Sequence, residues 1–232
     1  EPATYTVTYD ANGRESGTAP DDQTKIEGED LTLAGNSGDL TRSGYTFAGW
    51  NSADDGTGTS YAEGATYGAD ADVTLYAQWS AIGEPGEAGG VIFYDDEADG
   101  TDDIAGARYL EAWTANESGM YEWKTSQTHT TGTSPAVGSG YENTYSAMTG
   151  SEHPAANVVR NATHGGHSDW FLPSKNELDL MNQNKEAFGA GFSSLLWSSS
   201  ESTAERAWFL NLGSVQIVQK DFAGFVRAIR AF

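Results

Sequence analysis

The sequence predicts an α+β protein built from two domains, both dominated by short strands. Three observations lead to this prediction. Glycine makes up 28 of the 232 residues and aromatic residues 12%, a composition typical of strands joined by tight turns. Short segments of alternating or β-branched apolar residues recur, whereas long apolar helical runs are missing. One segment, residues 173–189, carries a full set of helix signals.

The first domain, residues 1–80, is predicted to consist of short strands and turns. Its first strand, residues 5–10, alternates and ends at an Asn12-Gly13 turn signal. Three more strands are predicted from their β-branched and aromatic residues, at 31–36, 44–50 and 72–79. The pattern then stops, and the Gly/Pro/Glu-rich stretch 81–90 is predicted to be a linker. The second domain occupies residues 91–232.

The first domain resembles a known bacterial repeat. The strings TVTYDANG, LTRSGYTFAGWN, GTSYAEGATY and DVTLYAQW are similar to the Listeria–Bacteroides repeat, or internalin B-repeat, over nearly all of residues 3–80. The resemblance implies a small β-grasp-like module that acts as a spacer in surface proteins. Its aromatic residues could stack on sugars or form the core, and the small domain size favours the core. They are Tyr45, Phe47, Trp50, Tyr76 and Trp79.

The second domain is predicted to mix strands with two helices. Strands are expected at 89–96 and 108–113, and three or four more in the strings LLWSSSES, ERAWFLNLG, SVQIVQKD and FVRAIRAF. A helix over 153–166 would have Pro154 in its first turn. The final strand is expected in the core, with its arginines pairing acids or covering apolar surface with their stems.

The clearest helix of the chain is predicted over residues 173–189. Ser174 is a suitable N-cap, and Glu177 three residues later completes a capping box. Leu178, Met181 and Phe188 give the helix one apolar face. Gly189 is expected to end it.

The second domain also resembles a known family. The ordered strings GGVIFY, RYLEAW, SDWFLPSKNELDLM, WSSSES, AW and VRAIRAF are similar to the C-terminal domain family of the Legionella collagen-like adhesin, over residues 89–232. The resemblance implies a C-type-lectin-like α+β fold on a bacterial or phage surface, and binding rather than catalysis. Members serve as adhesins, and some are variable proteins of diversity-generating retroelements. Those retroelements mutate adenines near the end of a gene.

The candidate ligand-binding surface is the segment 202–225, where apolar residues follow neither a strand nor a helix period. Mutation of the adenines in Asn codons, the commonest retroelement targets, cannot produce Lys, Glu, Gln, Met or Trp. Glu205 and Gln219 therefore fall outside the reachable set, while Leu212 and Gly224 belong to it. Gln216 and Lys220 also fall outside, but similar domains often keep these two positions fixed. The predicted ligand-binding residues belong to the reachable set: Ser202, Thr203, Ala204, Phe209, Leu210, Ser214, Val215, Ile217, Val218, Asp221, Phe222, Ala223 and Phe225. The alternative is that Val215, Ile217 and Phe225 are ordinary core residues.

A calcium site is a weaker expectation. Asp95, Glu97 and Asp99 alternate before a glycine, as in the opening of a calcium loop, but Gly106 stands where such a loop needs Glu. The competing interpretation is a solvated acidic loop. His164 and His167, with Asp169, form a further, weak candidate for metal binding.

Composition and missing motifs exclude several classes of function. The formal charge of −22 repels phosphate backbones, so nucleic acid is not an expected partner. The lack of cysteine excludes disulfides, thiolate metal sites and the copper–cysteine oxidase chemistry found on C-type-lectin-like folds. No apolar run could span a bilayer, so no membrane insertion is expected in this segment, and any export signal or anchor lies outside it. No nucleophile elbow, P-loop or dinucleotide fingerprint is present, and the chain is not expected to be an enzyme.

We therefore expect an extracellular or cell-surface binding protein, whose partner is a protein or glycan on another cell or host surface. The leading hypothesis is a retroelement-diversified surface near 202–225. The alternative is an adhesin with a fixed, calcium-assisted polysaccharide site, and a hydrolase is least favoured. A polyanionic glycan would need the only basic neighbourhood, formed by Arg206, Lys220, Arg227 and Arg230.

Overall fold

The computed structural model describes residues 1–96, 103–104, 106–130, 132–192 and 195–232. The chain divides into two compact units, Glu1–Ala81 and Ile82–Phe232. Sheets dominate both units, and the few helices in the described ranges belong to the second unit. This composition agrees with the predicted α+β class.

Seven strands build the first unit. They are β1 (Thr4–Asp10), β2 (Gln23–Ile26), β3 (Leu31–Thr32), β4 (Thr46–Asn51), β5 (Ser60–Tyr61), β6 (Thr66–Tyr67) and β7 (Val73–Ser80). Five form one sheet in the order β2-β1-β7-β4-β5, with β1 and β7 parallel, and β3 pairs with β6. The four predicted strands are present, although β3 is shorter than expected. The other three were not predicted because they are short and polar.

The core of the first unit forms where β1, β4 and β7 pack their apolar faces. Val7 and Leu75 are fully buried, and the ring of Tyr9 packs 4.7 Å from that of Trp50. Trp50 is 1% exposed and donates its indole N–H to Ala34 O at 2.9 Å. Trp50 is therefore a core residue and is not available for sugar stacking.

In the described part of the second unit, six strands form two three-stranded sheets. They are β8 (Val91–Asp95), β9 (Tyr109–Ala112), β10 (Leu195–Glu201), β11 (Arg206–Asn211), β12 (Ser214–Gln219) and β13 (Ile229–Ala231). One sheet has the order β13-β9-β8, and the other has the order β10-β11-β12. Isolated bridges, Leu196 to Phe225 and Phe171 to Ile229, add further contacts around them. The candidate surface belongs to the β10-β11-β12 sheet.

The helices of the second unit are short. A turn of helix, α1 (Gly140–Glu142), runs into a π-helical turn at Asn143–Ala147, within a polar stretch where none was predicted. Next come α2 (Pro154–Arg160) and α3 (Lys175–Gln183). The predicted capping box of α3 is confirmed, because Ser174 Oγ accepts the Glu177 N–H at 3.2 Å and Glu177 accepts the Ser174 N–H.

Helix α3 ends earlier than predicted. It stops at Gln183, and a 3₁₀ segment, Lys185–Gly191, follows. Gly189 has a left-handed φ of 58° inside that segment. Phe188 leaves the helix but still packs against the same apolar cluster as Leu178 and Met181. The apolar pattern therefore located the buried side chains correctly and the helix end incorrectly.

The stretch 81–90 differs from the free linker that its composition suggests. Gly83 N–H donates to Ile92 O at 2.8 Å, which ties the stretch to β8. The buried carboxylate of Glu111 accepts the N–H groups of Ala88 and Gly90 at 3.0 and 2.9 Å. Arg230 also donates to Glu111, at 3.2 Å. Nearly all of the stretch therefore belongs to the second unit.

Candidate ligand-binding surface

The candidate surface is organised by the hairpin of β11 and β12. Asn211 pairs with Ser214, which leaves Leu212 and Gly213 as a two-residue turn. Both have left-handed φ, 49° and 80°, as a type I′ turn requires. Asn-Gly is the favoured pair there, and leucine in this conformation is strained. The Leu212 side chain is 86% exposed.

The alternation of side chains sends residues of the hairpin to opposite faces of the sheet. On one face, Leu210 and its cross-strand neighbour Val215 join the apolar cluster of Leu178 and Met181. On the other face, Phe209 and Val218 join the cluster around Trp197. Helix α3 packs against this sheet and covers one face of the hairpin. The sequence alone did not show which face would be covered.

Two of the predicted ligand-binding residues are core residues. Phe209 is 1% exposed and Leu210 is fully buried, because β11 is the central strand of its sheet and is covered on both faces. Neither side chain can contact a partner, and we remove both from the candidate surface. Ser202, Ala204, Val215, Val218 and Phe225 are half-buried. The exposed members are Thr203, Ser214, Ile217, Asp221, Phe222 and Ala223.

Two exposed apolar side chains line one cavity beside β12. Ile217 is 40% exposed and Phe222 is 43% exposed. Phe222 rests edge-on against the buried ring of Phe209 at 5.4 Å, and Phe209 in turn packs 4.7 Å from Trp197. An open cavity of about 570 Å³ lies here, lined by Arg206, Ile217, Val218, Gln219, Asp221 and Phe222. Gln219 was not predicted as a site residue, and Arg206 was considered only as part of the basic neighbourhood that a polyanionic glycan would need.

Lys220 anchors the loops beneath this surface. Its side chain is completely buried, and its ammonium group donates to Glu201, Thr128 O and Ala204 O. It also lies 4.9 Å from the centre of the Trp123 ring. Burial lowers the pKa of Lys220, whereas the Glu201 carboxylate opposes that change. Lys220 therefore holds the 202–205 turn to the loop 125–130 and faces away from solvent.

Glu201 completes this buried pair. Burial would raise the pKa of Glu201, but hydrogen bonds from Lys220 and from the Thr130 N–H outweigh it, so the pKa lies below its usual value. The Thr130 N–H donates to Glu201 at 2.8 Å. Both loops are thus fixed by charge-assisted hydrogen bonds.

The basic neighbourhood expected for a polyanionic glycan is not a surface patch. Lys220, Arg227 and Arg230 are 0%, 1% and 7% exposed, respectively. Arg230 pairs with Glu87 and Asp169 at 2.7 and 2.8 Å, in addition to Glu111. Burial lowers the pKa of Arg227 to about 10, and its guanidinium lies 5.6 Å from the centres of two phenylalanine rings. Arg206 alone of these four is exposed.

The calcium expectation falls largely outside the described residues. Glu97 and Asp99 are not among the described residues, so Asp95 is the one member of this candidate site that the structure describes. Asp95 is buried and accepts two hydrogen bonds from Arg108, at 3.0 and 3.2 Å.

The histidine candidate is engaged in other contacts. His164 Nε2 lies 2.6 Å from Glu117 Oε1, and its ring stacks 4.6 Å from that of Trp113. His164 and His167 also form a backbone bridge. Within the described ranges, no three His, Asp or Glu side chains group in a way that could hold a metal ion.

Comparison with known proteins identifies the class of the first unit. Residues 5–78 match the family described as the Listeria-Bacteroides repeat domain. The predicted N-terminal repeat is therefore confirmed, and the first unit is a bacterial repeat domain. The match covers about a third of the chain and does not extend to the candidate surface.

Two relatives from Evansella cellulosilytica align over a similar length. One is provisionally named a membrane protein and is 42% identical over 78 residues, which is 33% of this chain and 12% of the relative. The other, provisionally named a Gly-rich membrane protein, is 39% identical over 82 residues, 33% of this chain and 9% of the relative. The matched part is thus a small fraction of each relative. In the described part of this chain, no helix is long and apolar enough to cross a membrane.

Proposed function

We propose that the chain belongs to a surface-displayed binding protein whose second unit presents a ligand-binding surface near residues 202–225, with no catalytic role. The first unit acts as a spacer. The partner class that fits best is a protein, because the surface offers exposed aliphatic and aromatic side chains on a rigid sheet.

One observation carries this proposal. Three of the six large apolar side chains that are exposed among the described residues lie within eleven positions of each other. They are Leu212, Ile217 and Phe222. All three surround one hairpin whose neighbouring loops are fixed by Lys220. An element fixed in this way that exposes several large apolar side chains is typical of an interaction site.

Leu212 supports the finer hypothesis of retroelement diversification. It occupies a turn position that favours asparagine, and adenine mutation of an Asn codon can produce leucine. Exposed members of the predicted set, such as Ile217 and Phe222, are also reachable from Asn codons. The buried supports Trp197, Glu201 and Lys220 are not reachable, as expected for a fixed C-type-lectin-like framework under a variable surface.

A bacterial cell-surface location fits this proposal. The first unit belongs to a repeat that is common in surface proteins, and both relatives are provisionally named as membrane proteins.

Charge substitutions at exposed and buried positions test the surface. Ile217→Asp and Phe222→Asp are expected to lower the Tm far less than a core substitution does, because the charge can reach water. Phe209→Asp is the control and should unfold the second unit, since it buries an unpaired carboxylate. Circular dichroism melts measure both. If Ile217→Asp and Phe222→Asp were as destabilising as Phe209→Asp, these side chains would be core and the proposed surface would not exist.

The gene itself tests the diversification. An imperfect repeat of the segment that differs only at adenines, next to a reverse transcriptase gene, is the expected finding. A genomic neighbourhood with neither feature would leave a binding surface with an unchanging sequence.

A polysaccharide-binding adhesin is the second candidate, favoured by a different observation. Tyr141 is 44% exposed and stacks on Tyr145 with ring centres 4.6 Å apart. Tyr141 borders a cavity of about 330 Å³ that is also lined by Glu142 and Asp169. An aromatic face beside carboxylates suits a neutral sugar ring. The expected result is binding on a glycan array that Tyr141→Ala abolishes and Phe222→Asp leaves intact, and a calcium chelator tests for assistance by that ion.

A further inference from the structure

The outer edge of β12 is open. The sheet order β10-β11-β12 makes β12 an edge strand, and the part of the chain that the structure describes places no strand beside it. Its sequence, SVQIVQ, contains no charge and no proline. Natural edge strands usually carry such residues to prevent pairing with another chain. The composition of β12 therefore permits strand addition.

The hairpin register shows which backbone groups point outward. Asn211 and Ser214 close the two-residue turn as a hydrogen-bonded pair, and such pairs alternate along an antiparallel ladder. Gln216 and Val218 therefore bond to β11, whereas the N–H and C=O groups of Val215 and Ile217 face away from it. An added strand would find donors and acceptors at these two residues.

These outward groups are self-complementary. When two copies of β12 run antiparallel about a twofold axis at Gln216, Val215 of each copy faces Ile217 of the other. Each such pair exchanges two hydrogen bonds, so all the outward groups of both residues are satisfied. An isologous contact of this kind closes after two copies. Val215 and Ile217 also share one face of the sheet, so the pairing adds apolar cross-strand contacts.

We propose that the partner of this surface is a second copy of the chain, docked through antiparallel β12 edges. This inference rests on the proposed function, because it names the partner of the same surface. The chain carries a formal charge of −22, so two copies repel each other. The uncharged edge is where they can approach, and added salt should strengthen the contact by screening that repulsion.

A cysteine substitution tests the register directly. The axis places Gln216 opposite its own copy in a non-hydrogen-bonded pair, where the Cα atoms lie about 4.5 Å apart. That spacing permits a disulfide, and the parent chain has no cysteine to interfere. Gln216→Cys should form a covalent dimer under mild oxidation, seen on a non-reducing gel. Thr203→Cys, on an exposed turn away from the edge, is the control and should stay largely monomeric.

Sedimentation velocity of the full chain tests the association without a crosslink. The sedimentation coefficient should rise with protein concentration and with added sodium chloride. Ile217→Lys should remain monomeric, because it places a charged side chain opposite Val215 of the other copy, whereas Thr203→Lys should behave as the parent.

Two outcomes would overturn the proposal. One is a monomer at every concentration and salt level, and the other is equal crosslinking of Gln216→Cys and Thr203→Cys. In either case the proposed function survives if Ile217→Asp and Phe222→Asp lower the Tm far less than Phe209→Asp does, because the surface is then exposed and has a different partner. If those substitutions unfold the protein, both proposals fail.

Discussion

At the scale of the residue, Gly224 shows how one position shapes the candidate surface. It bridges to Tyr121, and a Cβ atom there would lie 2.8 Å from Trp197 Nε1 and closer still to the ring of Phe209. The absent side chain lets the backbone approach the rings that support Phe222. A larger side chain at Gly224 would therefore press against the rings of Phe209 and Trp197.

Gly224→Ala should lower the free energy of unfolding by about 1–3 kcal/mol, because the added methyl overpacks a dense core. Chemical denaturation of the second unit measures it. Ala223→Val is the control. Ala223 adjoins Gly224 in the sequence but is exposed, so it should tolerate the extra volume with little change in stability. An unchanged midpoint for Gly224→Ala would mean that the Trp197 and Phe209 rings can move aside.

At the scale of the element, helix α3 is stabilised at its first turn by a capping box. Its capping box satisfies N–H groups that the helix itself leaves without partners. The helix then buries Leu178 and Met181 in the cluster that also receives Leu210. The cap therefore helps to position one face of the sheet that carries the candidate surface.

Ser174→Ala should reduce stability by about 1 kcal/mol, the usual effect of losing an N-cap. Asp179→Ala in the same helix is the control. Its ion pair with Lys175 at 2.6 Å is partly exposed, so the expected loss is below about 0.5 kcal/mol. Equal losses in urea titrations would contradict a special role for the cap.

At the scale of the whole molecule, two buried groups make stability depend on pH in opposite directions. Burial raises the pKa of Glu177 to about 7, although hydrogen bonds from Ser174, Gly138 and Gly140 oppose it. Burial, and then Lys124, lower the pKa of His153 to about 4. Each shift favours the neutral form inside the fold. The two effects overlap between about pH 4.5 and 6.5, so variants are needed to separate them.

Glu177→Gln should flatten one part of the stability profile. With a folded pKa above the unfolded one, Glu177 binds more protons in the native state, so its effect destabilises the fold as pH rises from about 4.5 to about 7. The variant should lose that decline. Glu142→Gln, at an exposed position, should keep it. Unfolding free energies measured at half-unit pH steps compare the three proteins.

His153 acts with the opposite sign. Its folded pKa lies below the unfolded value of 6.5, so its contribution is complete above pH 6.5 and is lost as pH falls toward about 4. In the Glu177→Gln protein the remaining profile should therefore decline on the acid side. Unfolding free energies of the Glu177→Gln protein at the same pH steps measure this decline.

Much of this architecture was predictable from the chain alone. Alternation and β-branched residues located the main strands, because half-buried strands leave a period of two in the sequence. The Ser174–Glu177 spacing located the start of α3, since capping depends only on neighbouring residues. The repeat strings of residues 3–80 identified the first unit, and the match over 5–78 confirms that assignment.

Only the tertiary structure decided which apolar residues of the hairpin face solvent. Phe209 and Ile217 look alike as apolar strand residues, but β11 is covered on both faces whereas β12 lies at the edge. Lys220 looks like a surface charge and is instead a buried anchor, because carbonyl groups from distant loops converge on it. Local patterns determine strands and caps, while burial depends on what the rest of the chain packs against each face.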